Sequence, residues 1–164
     1  MILRHAQPEE YDEVGALTLA AYIADGFLDN DADYASELRA ADHRAAEAEL
    51  VVAIDRTSHE LLGTVTYCVN GSSYAEISLP GEAEFRMLAV RPEARGRGIG
   101  LALTQWCLDR AREQGCTAMV LSSLDRMTTA HRLYERLGFD RLPERDWAPA
   151  PGILLLAFRL DLSH

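Results

Sequence analysis

The spacing of apolar residues predicts strands where they alternate or form short runs, and helices where they recur every three or four positions. Strand-like runs cover 2–5, 50–55, 61–69, 84–90, 118–121 and 153–160. Helical spacing covers a helix that opens at Pro8 and fades near Gly26, one or two short helices in 29–48, and helices over 98–114 and 128–137. A hairpin followed by strands that alternate with helices predicts a mixed sheet in an α/β (α+β) protein.

A glycine-rich loop with two arginines, RGRGIG at residues 95–100, lies between the strand at 84–90 and the helix at 98–114. The first N–H groups of a helix lack partners within it, and the helix dipole favours a negative charge there. Leu101 breaks the G-x-G-x-x-G fingerprint of dinucleotide-binding proteins, and the chain has no Lys for a P-loop. The pattern therefore indicates a site for some other pyrophosphate, with a helix start behind a flexible lead-in as the alternative.

Two segments carry a resemblance to a known family. Residues 88–100 (LAVRPEARGRGIG) closely resemble the coenzyme-A loop of the GNAT N-acetyltransferase superfamily, and Arg95, Gly98 and Gly100 match its Arg/Gln-x-x-Gly-x-Gly/Ala pattern. Residues 130–139 (AHRLYERLGF) are similar to the family segment A-x-x-L-Y-x-x-x-G-F.

The resemblance implies a fold as well as a cofactor. It implies one N-acetyltransferase domain over 1–164, with a mixed, mostly antiparallel, twisted sheet of about six or seven strands and about four flanking helices. The sheet would splay near its middle to receive acetyl-CoA, and no metal is expected.

The resemblance also assigns coenzyme-binding residues. The strand before the loop would pair its backbone with the pantetheine arm, the loop N–H groups would take the pyrophosphate, and the helix of the second segment would flank the coenzyme. The residues so implied are Leu88, Ala89, Val90, Arg95, Gly96, Arg97, Gly98, Ile99, Gly100, Ala130 and Leu133.

Acetyl transfer from a thioester to an amine needs an amine that loses its proton, a stabilised oxyanion and a protonated leaving thiolate. Tyr134 matches the family tyrosine that protonates the thiolate, and its alternative role is packing beside Leu133. Glu84 resembles the glutamate that some members use as general base, directly or through water, and its alternative role is a solvated strand end. A backbone N–H near Leu88 is the expected oxyanion donor. Met127 stands where many members carry a coenzyme-contacting asparagine.

Three segments correspond to those that line the acceptor pocket in the family, namely 22–34, 72–82 and 143–152. Clustered carboxylates attract a cationic amine, and the first segment contains Asp25, Asp29, Asp31 and Asp33. A solvated acidic helix face is the alternative for any one of them. Tyr74 and Trp147 in the other segments would stack on a substrate or anchor a loop.

Charge restricts the partners further. The 164 residues include 26 acidic and 16 basic side chains, all of the latter Arg, for a net charge of −10. Residues 1–82 carry −12 and residues 83–164 carry +2, so the coenzyme motifs fall in the basic half. The acidic total argues against nucleic acid as a partner, and the lack of a long apolar run argues against a membrane span.

The remaining features predict the cellular setting. Cys68, Cys107 and Cys116 are odd in number and apolar in context, which favours reduced thiols in the cytoplasm over disulfides or a metal site. The first residues turn polar too soon to predict a signal peptide. His59 and His131 are expected at the surface.

The prediction is a cytoplasmic acetyltransferase that moves acetyl from acetyl-CoA to a primary amine of a small molecule or peptide, by direct attack in a ternary complex. A non-catalytic acyl-CoA-binding regulatory module and an acyltransferase with a longer acyl donor are the alternatives. A homodimer, common in the family, is left open.

Overall fold

The structure, a computed structural model, describes residues 1–27 and 32–162. Its strands are β1 Ile2–His5, β2 Glu49–Ile54, β3 Leu61–Val69, β4 Glu82–Val90, β5 Ala118–Leu124, β6 Asp140–Arg141, β7 Trp147–Ala150 and β8 Ile153–Asp161. Its α-helices are α1 Tyr11–Ala24, α2 Ala32–Arg39, α3 Ala41–Glu47, α4 Ile99–Glu113 and α5 Thr128–Arg136. In the described part of the chain, eight strands and five α-helices thus replace the expected six or seven and four. Two short strands, β6 and β7, went unpredicted, and the described part of the segment predicted to hold one or two short helices forms two, α2 and α3.

The eight strands form one mixed sheet in the order β1-β2-β3-β4-β5-β8-β6, with β7 paired to β8. The pairs β1/β2, β2/β3, β5/β8, β6/β8 and β7/β8 are antiparallel. β4 and β5 are parallel, with Glu82–Glu84 in register with Ala118–Val120. Both strands continue beyond this short register. The predicted fold class, a mixed and mostly antiparallel sheet with flanking helices, is confirmed.

Backbone contacts divide the chain into two compact units, of which unit 1 comprises Met1–Tyr67 and Met87–Cys107. The predicted apolar stripe of α1 is buried here, at Val14, Leu17 and Ala21, and packs in one cluster with residues of α3, β2, β3 and β4. Pro8 opens a turn of 3-10 helix, and α1 begins at Tyr11. Whether 1–164 form one domain stays a prediction.

Unit 2 comprises Cys68–Arg86 and Leu108–His164. Its core holds an aromatic cluster of Phe85, Tyr134, Phe139 and Phe158, whose ring centroids lie 5.7 to 6.4 Å apart. The cluster joins α5 to β4 and β8, and so it positions the second family segment against the sheet.

Two absences concern the described residues alone. No described helix combines the length and the apolar character needed to cross a membrane. Within residues 1–27 and 32–162, no three His, Cys, Asp or Glu side chains are grouped so that they could hold a metal ion. The three cysteines, all in the described part, form no disulfide.

Candidate functional site

The loop at 95–100 lies in unit 1 and has the backbone of an anion site. α4 begins at Ile99, and its first backbone hydrogen bond runs from Ala102 N–H to Gly98 O at 3.0 Å. The N–H groups of Ile99, Gly100 and Leu101 precede that bond and so lack a partner in the helix. Together with the positive end of the helix dipole, these N–H groups form a site suited to phosphate.

Two glycines of this loop adopt a conformation that other residues rarely reach. Gly96 has φ 79° and Gly98 has φ 76°. A Cβ added at either position would meet no atom within 4 Å, so the requirement for glycine comes from the backbone and not from crowding. Both residues are exposed, which leaves the loop open to a ligand.

Each arginine of the loop contacts a carboxylate of unit 1. Arg95 donates from Nη1 and Nη2 to the two carboxylate oxygens of Asp25, at 2.5 and 2.9 Å. Arg97 donates from Nη2 to Asp55 at 3.1 Å. Asp55 also accepts the N–H groups of Thr57 and Ser58, and these two bonds, with Arg97, lower the pKa of Asp55 to about 2. Neither ion pair could be predicted from the sequence, because the partners lie 70 and 42 residues apart in the chain.

The end of β4 in unit 1 carries Leu88, Ala89 and Val90. Ala89 is buried in the core cluster, whereas Leu88 and Val90 are half-buried on the alternate positions. Met87, directly before them, has φ 54°, which is rare for a residue with a side chain. Such a residue turns the adjoining peptide planes away from a regular strand. The N–H of Leu88, the expected oxyanion donor, follows this irregularity.

Tyr134 lies in unit 2 with only 5% of its surface exposed. Its ring packs on Phe85, Phe139 and Phe158 at centroid distances of 5.9, 5.7 and 5.7 Å. Packing therefore fixes the position of the phenol, which is compatible with the proton-donor role. Ala130 and Leu133, half-buried on the same helix, stay predicted coenzyme contacts.

Glu84 is fully buried in unit 2, at 0% exposure, and is not a solvated strand end. Its Oε1 accepts the N–H groups of Glu76, Ile77 and Ser78 at 3.0 to 3.1 Å, and its Oε2 also faces the N–H of Glu76 at 3.1 Å. Burial raises the pKa of Glu84, and the three N–H donors oppose that rise. The carboxylate therefore anchors the segment before β4. Its role as general base stays a prediction.

The two candidate catalytic side chains lie on opposite faces of β4. Phe85 contacts Tyr134, and successive side chains of a strand point to opposite sides, so Glu84 points away from α5.

Two of the three predicted acceptor segments meet within unit 2. Arg145, from 143–152, forms an ion pair with Glu82 at 2.6 Å and donates to Ile77 O at 3.3 Å. Trp147 donates from Nε1 to Ser122 Oγ at 3.2 Å. Tyr74 lies under the Arg86 guanidinium, which is 5.8 Å from the centre of its ring. Trp147 and Tyr74, the two aromatic candidates, therefore both contact neighbouring groups.

The remaining predicted acceptor segment, 22–34, is described only in part. Asp25 pairs with Arg95, and Asp33 is exposed in the first turn of α2. Asp29 and Asp31 lie outside the described residues.

Sequence reasoning missed one partly buried pair near the second motif. His131, expected at the surface, is half-buried, with Nε2 3.1 Å from Ser123 Oγ and its ring 5.0 Å from that of Phe158. Burial lowers its pKa, so the imidazole is neutral near neutral pH. His59 is exposed as expected. The only sequence signal for the His131–Ser123 pair was the position of His131, which precedes Tyr134 by one helical turn.

Comparison with known proteins supplies the class. The profile of the acetyltransferase (GNAT) family matches residues 13–139. An uncharacterized N-acetyltransferase of Schizosaccharomyces pombe is 31% identical over 113 residues, which are 69% of this chain and 64% of that protein. Mycothiol acetyltransferase of Cellulomonas flavigena is 37% identical over 84 residues, which are 50% of this chain and 24% of that protein. The structure of yncA from Salmonella typhimurium with its cofactor acetyl-CoA has a TM-score of 0.69 at 19% identity, covering 100% of this chain and 95% of that one.

The chain belongs to the acetyltransferase (GNAT) family, and the resemblance stated from its motifs is confirmed. The similarity to yncA, at 19% identity, concerns the fold. The chain spans less than two thirds of the length of the two curated relatives named above.

Proposed function

We propose that this chain transfers the acetyl group of acetyl-CoA to a primary amine by direct attack in a ternary complex. The observation that carries the proposal is the loop at 95–100, where left-handed Gly96 and Gly98 precede the unpaired N–H groups of α4. A diphosphate is the anion that such a loop, with two arginines beside it, suits best. Membership of the GNAT family supports acetyl-CoA as the molecule that carries this diphosphate.

The coenzyme would lie along the residues that the motifs predict. Its diphosphate would bind at Arg95–Gly100, and its pantetheine arm would pair with the backbone of Leu88–Val90. Ala130 and Leu133 on α5 would flank it. The rare φ of Met87 supports a special role for the N–H of Leu88, since this N–H would donate to the thioester oxygen as negative charge develops there.

The reaction would proceed without a covalent enzyme intermediate. The amine nitrogen attacks the thioester carbonyl, the C–N bond forms, and the C–S bond then breaks. The proton lost by the amine goes to Glu84, directly or through water, and the Tyr134 hydroxyl gives its proton to the departing thiolate. The fixed ring of Tyr134 supports the second assignment.

The proposed acceptor is a primary amine of a small molecule or a peptide. The acidic front half of the chain supports a cationic acceptor. A cytoplasmic location is supported by three cysteines without disulfides. One domain over 1–164, with no nucleic acid, membrane or metal, completes the proposal, and a homodimer stays open.

Thiol release from acetyl-CoA, measured against a panel of small amines, amino acids and peptides, tests the proposal. The Gly98→Glu variant should no longer release thiol from acetyl-CoA, because the substitution places a negative charge and a strained residue in the phosphate loop. Gly115→Glu is the matched control, since Gly115 ends the same helix with φ 74° and equally open space. Coenzyme binding without release for any amine would instead support the non-catalytic module. Faster release from longer acyl thioesters would support the donor variant.

A further inference from the structure

Asp25 holds the first arginine of the loop in the strongest geometry available to it. The two N–H···O bonds from Arg95 run in parallel to the two oxygens of one carboxylate, the arrangement that guanidinium groups also use with phosphate. The Arg95 side chain is 41% exposed and the Asp25 side chain is 33% exposed, so another anion can reach the guanidinium without first opening the core.

The position of Asp25 makes it depend on this arginine. It caps the C-terminus of α1, where the helix dipole is negative and a carboxylate is disfavoured, and the last turn of α1 contains no basic residue. Asp55 differs, because the N–H groups of Thr57 and Ser58 hold it in its own turn whether or not Arg97 is present. Asp25 is therefore the carboxylate whose placement the loop arginine decides.

A diphosphate at residues 95–100 would require the same guanidinium. It would also lie within reach of the Asp25 carboxylate, and two like charges that share one cation repel each other. We propose that Asp25 sets the affinity for the coenzyme by competing with the diphosphate for Arg95, an inference that rests on the proposed function. Asp25 thus acts from outside the loop motif, at the end of a different helix.

Exposed ion pairs are weak, so the expected effect is moderate. Removing the charge in Asp25→Asn should tighten CoA binding by roughly fivefold at low ionic strength, the ratio expected for a well-formed surface pair. The gain should shrink as salt rises, because added ions screen exposed charges over about 10 Å at 0.1 M. Pantetheine, which has no diphosphate, should bind both proteins equally.

Calorimetric titration of CoA and pantetheine into the unsubstituted chain, Asp25→Asn and Asp12→Asn tests the inference. Asp12→Asn makes the same charge change in the exposed first turn of α1, so it controls for net charge. Asp25→Ser serves as a second variant, and a thermal melt checks that each protein is folded.

Tighter CoA binding confined to the Asp25 variants is the expected result. Equal or weaker binding of CoA by both Asp25 variants, or an equal gain for pantetheine, would overturn the inference and leave the proposed function standing. No CoA binding by the unsubstituted chain would overturn both.

Discussion

Replacing Glu84 by Leu tests the most deeply buried polar group of the candidate site. The carboxylate accepts the N–H groups of Glu76, Ile77 and Ser78, which belong to the segment that precedes β4. An apolar side chain of similar size would leave these three donors without an acceptor. When a buried ion pair is replaced by apolar residues both charged groups leave, but here the donors stay behind.

The size of the effect follows from the number of donors. A hydrogen bond to a charged acceptor contributes about 1.5–3 kcal/mol, but Glu76 is exposed and water can replace part of what is lost. With about 1 kcal/mol for each donor, Glu84→Leu should lower the free energy of unfolding by about 3 kcal/mol. Glu84→Gln keeps one acceptor oxygen and loses the charge, so about 1 kcal/mol is expected.

Urea unfolding at neutral pH measures these differences. Glu135→Gln, an exposed change on α5, is the control and should stay within about 0.5 kcal/mol of the unsubstituted chain. A loss for Glu84→Leu as small as that of the control would refute the anchoring role of Glu84. The pH–rate profile of Glu84→Gln addresses its other role, since loss of the base should abolish the acidic limb of kcat/KM.

Three further predictions concern the site and its surroundings. Tyr134→Phe should lower kcat about 10²-fold or more while the Kd for CoA stays within about twofold, and unchanged turnover would reduce Tyr134 to a packing residue. An acidic acceptor pocket predicts that kcat/KM for a cationic amine falls with added salt, and a flat profile would exclude steering. Burial raises the pKa of Glu82, but hydrogen bonds from Arg145 and from Leu79 N–H lower it by more, so this pKa lies below its ordinary value. The stability that these bonds contribute should therefore be fully present above the ordinary carboxyl pKa and be lost as the pH falls through the lowered pKa, and Arg145→Gln should flatten the acid limb of urea midpoints against pH.

The sequence predicted the parts of the fold that depend on local pattern. The stripe of α1 is buried as expected, and the hairpin of β2 and β3 forms. β7 went unpredicted because Trp147–Ala150 contains Pro149 and has no alternation, and it forms through pairing with β8. β6 has two residues, too few for any periodicity to be detected.

In the candidate site too, local features could be predicted from the sequence, whereas contacts between distant residues could not. The loop at 95–100 was singled out by its glycines and its place between a strand and a helix, because glycine and helix-start chemistry are local. The Asp25–Arg95 and Asp55–Arg97 pairs are not, because each joins residues that only the fold brings together. Glu84 was placed on the correct strand, but its burial and its three N–H partners depend on how the preceding segment folds back.

Mass spectrometry of the acceptor after incubation with acetyl-CoA tests the central claim most directly. The amine that gives the fastest thiol release should gain the mass of one acetyl group at its nitrogen, in a one-to-one ratio with released CoA, and Gly98→Glu should form none. Gly115→Glu should form it at a normal rate. Thiol release without an acetylated amine, or acetylation that persists in Gly98→Glu, would contradict transfer from a coenzyme held at residues 95–100.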